Sequence, residues 1–361
     1  MENQSVIICI VFGTRPEIIK LFPVIKACDE IYQDYFIVHV RQHYSHEMSG
    51  LFLEELSINK PKHTLEVGWG SHGEQTANIL EKCEKVLLRE KPDVVLIEGD
   101  TNTVLGSALA ACKIGIKVGH VEAGLRSYDR DMPEEINRVL ADHISDYCYA
   151  PTKIAAENLR REGIELSKII VTGNTIVDSL LHNRNVAEEK SDILARNSLS
   201  RGKYILLTVH RQENVDNEKK LRNIMDGLKR VQKAFGLNIV CPLHPRTKKK
   251  TKEFNIERPK EILFTDPLGY LDFIKLENNA KLIMTDSGGV QEEACILEVP
   301  CVTLRENTER PETLEIGANI LAGTDPETIL ESAGIMLNKI IQWENPFGDG
   351  KASIRILDSL K

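Results

Sequence analysis

Short apolar runs alternate with amphipathic segments along the whole chain. Apolar runs of three to seven residues are typical of buried strands, and the segments between them carry apolar residues at helical spacing, as at Ile18, Phe22 and Ile25. Continuous apolar strands separated by helices are typical of parallel sheets covered on both faces. The pattern therefore predicts an α/β protein with strands at 6–12, 35–40, 94–98, 118–121, 147–150, 169–172, 204–209, 238–241, 262–264, 282–285 and 302–304.

The strand–helix alternation breaks once, between Leu181 and Lys203, where the chain is polar and charged. A chain of 361 residues is too long for one typical core and fits two α/β domains. We therefore expect a first domain at 1–181 and a second at 182–345, with the segment 346–361 folding back onto the first domain.

Composition narrows the function. The net charge of −8 disfavours general nucleic-acid binding. In such an acidic protein, the positive charge that an anionic ligand needs has to come from a few residues near its site. The eight cysteines form no CxxC pair, which predicts reduced, buried thiols in a cytosolic protein without a zinc site. The apolar run 6–12 is too short to span a membrane and is expected to be the first strand.

The first strand leads into Gly13, Thr14, Arg15, Pro16 and Glu17, with Lys20 one turn later. Thr14 and Glu17 have the spacing of a capping box, and the following helix N-terminus favours an anion. The alternative is an ordinary strand-to-helix turn with a surface arginine. Neither a GxGxxG nor a Walker A motif is present, which disfavours NAD and P-loop chemistry.

Carboxylates follow two further strands of the first domain. Asp100 comes after the strand at 94–98, although capping of the next helix would also explain it. Glu122 follows the strand at 118–121 with no helical pattern directly after it, so capping explains it less well. Glu134 and Glu135 open a later helix, and stabilisation of the helix dipole is the alternative role for one of them.

The second domain places different chemistry at its strand ends. His210 and Arg211 leave the strand at 204–209, where packing explains a histidine poorly. Ser287, Gly288 and Gly289 offer backbone N–H groups at a helix start, which favours phosphate binding, with a solvated Gly-rich turn as the alternative. Ligands of open α/β sheets bind beyond the carboxyl ends of the strands, so the sequence predicts a nucleotide-sugar site in a cleft between the domains.

Seven motifs occur in one order: GTRPEIIK at 13–20, EGDTNT at 98–103, HVEAGLRS at 120–127, PEEINR at 133–138, TVHRQEN at 208–214, TDSGGVQEEA at 285–294 and TERPET at 308–313. At these residues the chain resembles the non-hydrolysing UDP-N-acetylglucosamine 2-epimerases. The resemblance implies the GT-B fold, in which two Rossmann-like domains with parallel sheets face a central cleft. It also implies inversion at C2 of the sugar through elimination and re-addition of UDP.

The same resemblance implies roles for individual residues. It makes Asp100, Glu122 and Glu134 the acid/base and charge-stabilising carboxylates and puts His210 at the phosphate. Phe273 matches a position that flanks uracil. UDP-binding positions are Arg15, Lys20, Ser287, Gly288, Gly289, Glu293 and Arg310. The resemblance further implies no NAD and no required metal, a cytoplasmic homodimer, and a product used for cell-surface polysaccharide or glycan synthesis.

The chain departs from the family pattern in places. Leu268 stands where bacterial members often have a glutamine, and His244-Pro245-Arg246 replaces a usual His-Pro-Asn. Bacterial members of the family bind a second UDP-N-acetylglucosamine as an activator. The candidates for such an activator site here are Gln42, Arg211 and His244. Four alternatives stay open: a hydrolysing epimerase that releases N-acetylmannosamine and UDP, a GT-B glycosyltransferase, a non-enzymatic regulator that binds a nucleotide sugar, and a substrate with extra groups at C3 or C6.

Overall fold

The computed structural model describes residues 6–31, 33–42, 53–68 and 70–361. The chain divides into two compact units. The first unit runs to Leu181 and regains Phe347–Lys361, and the second is His182–Pro346. The division falls inside one continuous helix, Thr175–Lys190. Among the described residues, no helix is long and apolar enough to cross a membrane.

The first unit is built on a seven-stranded sheet in the order β3-β2-β1-β4-β5-β6-β7. All of its strand pairs are parallel, for example Ile8 with Tyr35 and Ile8 with Val94. The chain leaves β1 toward one side of the sheet and later returns to add β4 on the other side. The strands are β1 (Ile8–Phe12), β2 (Tyr35–Gln42), β3 (His63–Val67), β4 (Val94–Glu98), β5 (Lys117–Val121), β6 (Tyr147–Ala150) and β7 (Ile169–Val171).

The second unit repeats this plan with six parallel strands in the order β10-β9-β8-β11-β12-β13. The order in which strands are added reverses between β8 and β11, as it does between β1 and β4 in the first unit. Ligands of such sheets bind where the strand order reverses. The strands are β8 (Tyr204–Thr208), β9 (Asn238–Pro242), β10 (Ile262–Thr265), β11 (Leu282–Thr285), β12 (Cys301–Thr303) and β13 (Asn319–Leu321).

Helices connect the strands in both units, as parallel pairing requires. In the first unit they are α1 (Arg15–Glu30), α2 (His72–Glu90), α3 (Asn102–Lys113), α4 (Pro133–Ile144), α5 (Lys153–Arg161), α6 (Thr175–Lys190, which runs into the second unit) and, near the C-terminus, α15 (Ala352–Asp358). Those of the second unit are α7 (Ile193–Arg196), α8 (Gln212–Val215), α9 (Glu218–Phe235), α10 (Pro245–Glu253), α11 (Tyr270–Asn279), α12 (Gly288–Ile296), α13 (Pro311–Glu315) and α14 (Pro326–Leu337).

The C-terminal segment packs onto the first unit through specific polar contacts. Asn174 donates its backbone N–H to the carbonyl of Phe347 at 2.8 Å. The carboxylate of Asp178 accepts the backbone N–H groups of Ala352 and Ser353, at 3.2 and 2.9 Å, at the start of α15. These contacts fasten the last residues of the chain to the helix that follows β7.

The strand cores are apolar, as the hydrophobic pattern predicts. Every residue of β1, β4 and β8 is buried. Seven of the cysteines are buried, but Cys112 is exposed, so the expectation of a buried thiol is wrong for that residue. Cys112 lies in the last turn of α3, next to Lys113, on the part of the helix that faces solvent.

Candidate active site

The loops after β1 and β4 are joined by one buried carboxylate, Glu17. It accepts the backbone N–H groups of Gly13 and Thr14, the second at 3.2 Å, and the hydroxyl of Thr101 donates to it at 2.6 Å. Burial raises the pKa of Glu17, although these hydrogen bonds oppose the shift. The capping-box spacing of Thr14 and Glu17 therefore reflects a contact that also ties two strand exits together.

Lys20 lies between two glutamates at the exits of β4 and β5. Its Nζ forms an ion pair with Glu122 and a longer one, 3.6 Å, with Glu98. The side chains of Lys20, Glu98 and Glu122 are only 7%, 2% and 6% exposed. Burial raises the pKa of Glu98 well above its ordinary value, with Lys20 opposing the shift and Glu122 adding to it.

Asp100 does not cap α3, so that alternative for its role is wrong. The cap is Thr101, whose side-chain oxygen accepts the backbone N–H groups of Thr103 and Val104. Asp100 instead forms an ion pair with Arg138 of α4, and its side chain is 26% exposed. Asn137 of the same helix donates to the backbone carbonyl of Asp100 at 3.0 Å. The loop after β4 thus presents a partly exposed carboxylate on a fixed backbone.

The two glutamates that open α4 differ in their surroundings. Glu135 is buried and accepts hydrogen bonds from Ser127, Tyr128 and Arg138. Glu134 is half-buried and has no hydrogen bond or ion pair with any residue in the described ranges. Glu135 is therefore held by structural hydrogen bonds, and Glu134 is not.

In the second unit, the loop after β8 is organised by Asp286, which is fully buried after β11. The backbone N–H of His210 donates to both of its carboxylate oxygens, at 3.0 and 3.1 Å, and that of Arg211 donates at 3.0 Å. Asn214 adds a side-chain donor at 3.2 Å. Asp286 therefore fixes where the His210 side chain starts.

His244 lies beside His210, with a ring-centroid distance of 5.3 Å. The Nδ1 atom of His244 accepts the backbone N–H of Arg246 at 3.2 Å, which leaves the proton of the neutral ring on Nε2. Burial and the neighbouring His210 lower the pKa of His244 to about 4. His244 is therefore neutral at physiological pH.

Ser287, Gly288 and Gly289 lie at the start of α12, directly after β11. A Cβ atom on Gly288 would lie 2.3 Å from Oε1 of Glu309, whereas one on Gly289 would meet nothing nearer than 4.0 Å. Glu309 is held by Arg211 at 3.1 Å and Arg305 at 2.9 Å. Gly288 is required here because the Glu309 carboxylate lies against its backbone.

The remaining predicted residues are divided between the two units. Arg310 is buried and pairs with Glu292 of α12 at 2.5 Å. Glu293 lies on α12 and is 8% exposed, and Phe273 of α11 is buried to the same degree. Arg15 is the half-buried first residue of α1 in the other unit. Gln42 ends β2, and its side chain lies outside the described residues.

The structure thus forms two clusters, each within one unit. Lys20, Asp100 and Glu122 lie at the reversal point of the first sheet, and His210, Arg211, His244 and Ser287–Gly289 lie at that of the second. Sequence reasoning missed Glu98, Arg138, His120, Asp142, Asp286 and Glu309 as members of these clusters. A signal was present for all of these except Asp142, because the other five lie inside the motifs at 98–103, 120–127, 133–138, 285–294 and 308–313. No group of three or more metal-binding side chains occurs in the described parts of the chain.

Comparisons with known proteins identify the family. A family model described as UDP-N-acetylglucosamine 2-epimerase matches residues 26–361. A Methanocaldococcus jannaschii protein named UDP-N-acetylglucosamine 2-epimerase is 56% identical over 354 residues, covering 96% of this chain and 97% of that protein. This chain belongs to the UDP-N-acetylglucosamine 2-epimerase family, as its motifs predict.

Two further matches bear on fold and substrate. A crystal structure of the M. jannaschii UDP-GlcNAc 2-epimerase in complex with UDP-GlcNAc and UDP gives a TM-score of 0.94 at 56% identity, covering 98% of this chain and 99% of that one. The predicted GT-B class, with two Rossmann-like domains and parallel sheets, is confirmed. A Pseudomonas aeruginosa UDP-2,3-diacetamido-2,3-dideoxy-D-glucuronate 2-epimerase is 40% identical, covering 97% of this chain and 98% of that protein.

Proposed function

We propose that this enzyme interconverts UDP-N-acetylglucosamine and UDP-N-acetylmannosamine without net hydrolysis. The bond between C1 and the β-phosphate oxygen breaks, and its electron pair leaves with UDP. The C2 proton passes to an enzyme base, and a double bond forms between C1 and C2 to give enzyme-bound 2-acetamidoglucal. UDP then adds back to C1 while a proton is delivered to C2 from the opposite face.

The observation that carries the proposal is the carboxylate cluster at the exits of β4 and β5. Direct removal of the C2 proton would need a very strong base, because no carbonyl lies next to that carbon. Departure of UDP builds positive charge at C1, which makes the C2 proton removable and is stabilised by nearby carboxylates. Glu122 paired with Lys20, and Asp100 paired with Arg138, supply such groups.

The second unit supplies what the leaving group needs. Developing negative charge on the β-phosphate calls for fixed donors, and the backbone N–H groups of Ser287, Gly288 and Gly289 at the start of α12 are of that kind. His210 adds an imidazole on a backbone fixed by Asp286. We assign Arg15, Lys20, Glu293 and Arg310 to UDP binding and Phe273 to the uracil, following the family motifs.

Glu134 completes the proposed set of acid/base carboxylates, since its neighbour Glu135 is occupied by structural bonds. Asp100, Glu122 and Glu134 are the candidates for the base on each face of the sugar. The chemistry proposed here uses neither NAD nor a metal, because the proton transfers and the phosphate departure are served by side chains and backbone donors. We further propose that the enzyme is a cytoplasmic homodimer and that its product supplies N-acetylmannosamine units for glycan synthesis.

An activator site at Arg211 and His244 is part of the proposal, with Gln42 as its third candidate. Arg211 is bound to Glu309, which itself lies against Gly288, so an anion that pairs with Arg211 would compete with a contact to the start of α12. We expect a rate that rises more steeply than hyperbolically with UDP-N-acetylglucosamine concentration. Arg211→Gln should make that dependence hyperbolic, and a hyperbolic parent enzyme would contradict the activator role.

Product analysis tests the reaction type and the substrate together. The purified enzyme is incubated with UDP-N-acetylglucosamine and, separately, with its 2,3-diacetamido glucuronate counterpart, and products are followed by NMR. We expect an equilibrium mixture of two UDP-linked epimers from the first substrate. Release of free UDP in stoichiometric amounts would indicate the hydrolysing reaction. Faster turnover of the glucuronate would overturn the substrate assignment, and the 40% identical P. aeruginosa relative is the reason to test it.

A further inference from the structure

His120 is fully buried in β5, two residues before Glu122, and both of its ring nitrogens meet acceptors. Nδ1 lies 2.7 Å from a carboxylate oxygen of Asp142, and Nε2 lies 2.7 Å from the backbone carbonyl of Gly99. Neither a carboxylate nor a carbonyl can donate a hydrogen bond. With Asp142 ionised, both contacts are hydrogen bonds only if both ring nitrogens carry protons, and this geometry points to an imidazolium.

The surroundings balance that charge. Asp142 of α4 also pairs with Arg126 at 2.7 Å, and Arg126 pairs with Glu162 at 2.6 Å. With His120 protonated, the four groups carry two positive and two negative charges. Burial lowers the pKa of His120, but the Asp142 carboxylate and the two hydrogen bonds outweigh it, so the pKa is raised despite the repulsion from Arg126.

The loop after β5 is folded around the same carboxylate. Asp142 accepts the backbone N–H of Gly124 at 3.1 Å, in addition to its bond with His120. Glu122 lies midway between these two anchored residues and has a φ of 70°, in the left-handed region that few residues other than glycine adopt. Such strain persists only where the surroundings impose it, and the two Asp142 contacts do so.

The loop after β4 is tied to the same imidazole. Gly99 has a φ of 85°, and its carbonyl accepts from Nε2 of His120 immediately before Asp100. We propose that His120, held at neutral pH as a charged imidazolium between Asp142 and the Gly99 carbonyl, is the positioning residue that sets the spacing of Asp100 and Glu122. This role rests on the proposed function of those two carboxylates, whereas the charge state of His120 can be tested independently of it.

NMR of protein labelled with ¹⁵N-histidine tests the charge state directly. At about pH 7 we expect protons on both ring nitrogens of His120 and on only one nitrogen of His244, whose pKa is lowered to about 4. Spectra of His120→Gln and His244→Gln assign the two rings among the ten histidines. A bare nitrogen on His120 in the folded parent protein would overturn the inference, even if the chain proved to have no epimerase activity.

Kinetics of Asp142→Asn test the positioning role. We expect kcat to fall about 100-fold while KM changes little, because small displacements of acid/base groups act on the chemical step. The variant's kcat should also gain a dependence on pH near neutrality, because His120 then loses its counter-charge and titrates. A loss in folded protein without that new pH dependence would contradict the role.

Glu162→Gln is the matched control. It removes the outer, 27% exposed partner of Arg126 and leaves the Asp142 contacts with His120 and Gly124 in place. We expect its kcat to stay within about threefold of the parent's. A Glu162→Gln loss equal to that of Asp142→Asn would show that general weakening of the loop, not the imidazolium, causes the effect. Circular dichroism of both variants checks that they are folded.

Discussion

The two reversal points of this chain share one topology but differ in the groups that they hold. At the exits of β1, β4 and β5, carboxylates of Glu17, Glu98, Asp100 and Glu122 gather around the paired cations Lys20 and Arg138. At the exits of β8 and β11, a helix start is accompanied by two histidines and the buried Asp286. Three arginines lie there as well, paired with Glu309 or Glu292: Arg211, Arg305 and Arg310. The same βα architecture thus holds groups suited to moving protons in one unit and groups suited to binding an anion in the other.

The largest expected effect comes from neutralising a carboxylate of the first cluster. Asp100→Asn should lower kcat about 1000-fold, because it removes an acid/base group, and should leave the affinity for UDP measured by calorimetry almost unchanged. Asp226→Asn, which removes half of an exposed ion pair on α9, is the control. Undiminished activity in Asp100→Asn would refute its assigned role.

A change in the second cluster should act mainly on binding. In Gly288→Ala the new methyl group has to displace the Glu309 carboxylate, and with it the contacts to Arg211 and Arg305. We expect KM and the UDP dissociation constant to rise about tenfold, with a smaller change in kcat. Gly289→Ala, where a Cβ has room, should lose less. Equal losses in the two variants would contradict the role given to Glu309.

The His120–Asp142 pair predicts a stability window. The pKa of Asp142 is lowered because His120 and Arg126 outweigh its burial, so its contribution is lost as pH falls through that lowered value. The pKa of His120 is raised, so its contribution is lost as pH rises through that value. Breaking the pair with His120→Gln should cost about 3 kcal/mol between these limits, as measured by urea unfolding. An equal cost at every pH would contradict the pairing.

The smallest effect is expected at Glu98. Its raised pKa means that folding favours the protonated form, so ionisation lowers stability progressively as pH rises above about 4.3, the ordinary value for glutamate. Glu98→Gln cannot ionise and should become more stable than the parent as pH rises. Thermal unfolding of both proteins across the pH range measures this, and parallel curves would show that Glu98 is already ionised in the fold.

Much of the fold can be predicted from the hydrophobic pattern along the chain, and the two strands that were not predicted are short segments in which that pattern is weak. The strands β1, β4 and β8 were predicted because their sequences are continuous apolar runs. In the structure every residue of these strands is buried. β3 was missed because it lies at a sheet edge and alternates apolar with polar residues. β13 was missed because the polar Asn319 interrupts its short apolar run. The length and polarity of such short segments do not distinguish strands from loops.

The site was predictable as residues but not as contacts. Strand ends and motifs indicated Asp100, Glu122 and His210, yet Thr101, the neighbour of Asp100, proved to be the helix cap. The pairing of Lys20 with Glu98 joins residues far apart in the chain, and spacing along the sequence does not predict such a contact. Glu98 reads in sequence as the end of a buried strand, and only its long-range neighbours make it part of the cluster.

The central claim is that carboxylates of the first unit remove the C2 proton of the sugar, and exchange of this proton with solvent tests it most directly. The enzyme is incubated with UDP-N-acetylglucosamine in heavy water, and the recovered sugars are examined by NMR and mass spectrometry. We expect one deuterium at C2 in sugars that still carry UDP, and Asp100→Asn should slow this exchange while still binding UDP. Epimerised UDP-sugar without deuterium at C2, under conditions where turnover is complete, would contradict proton removal into exchange with solvent by the first cluster.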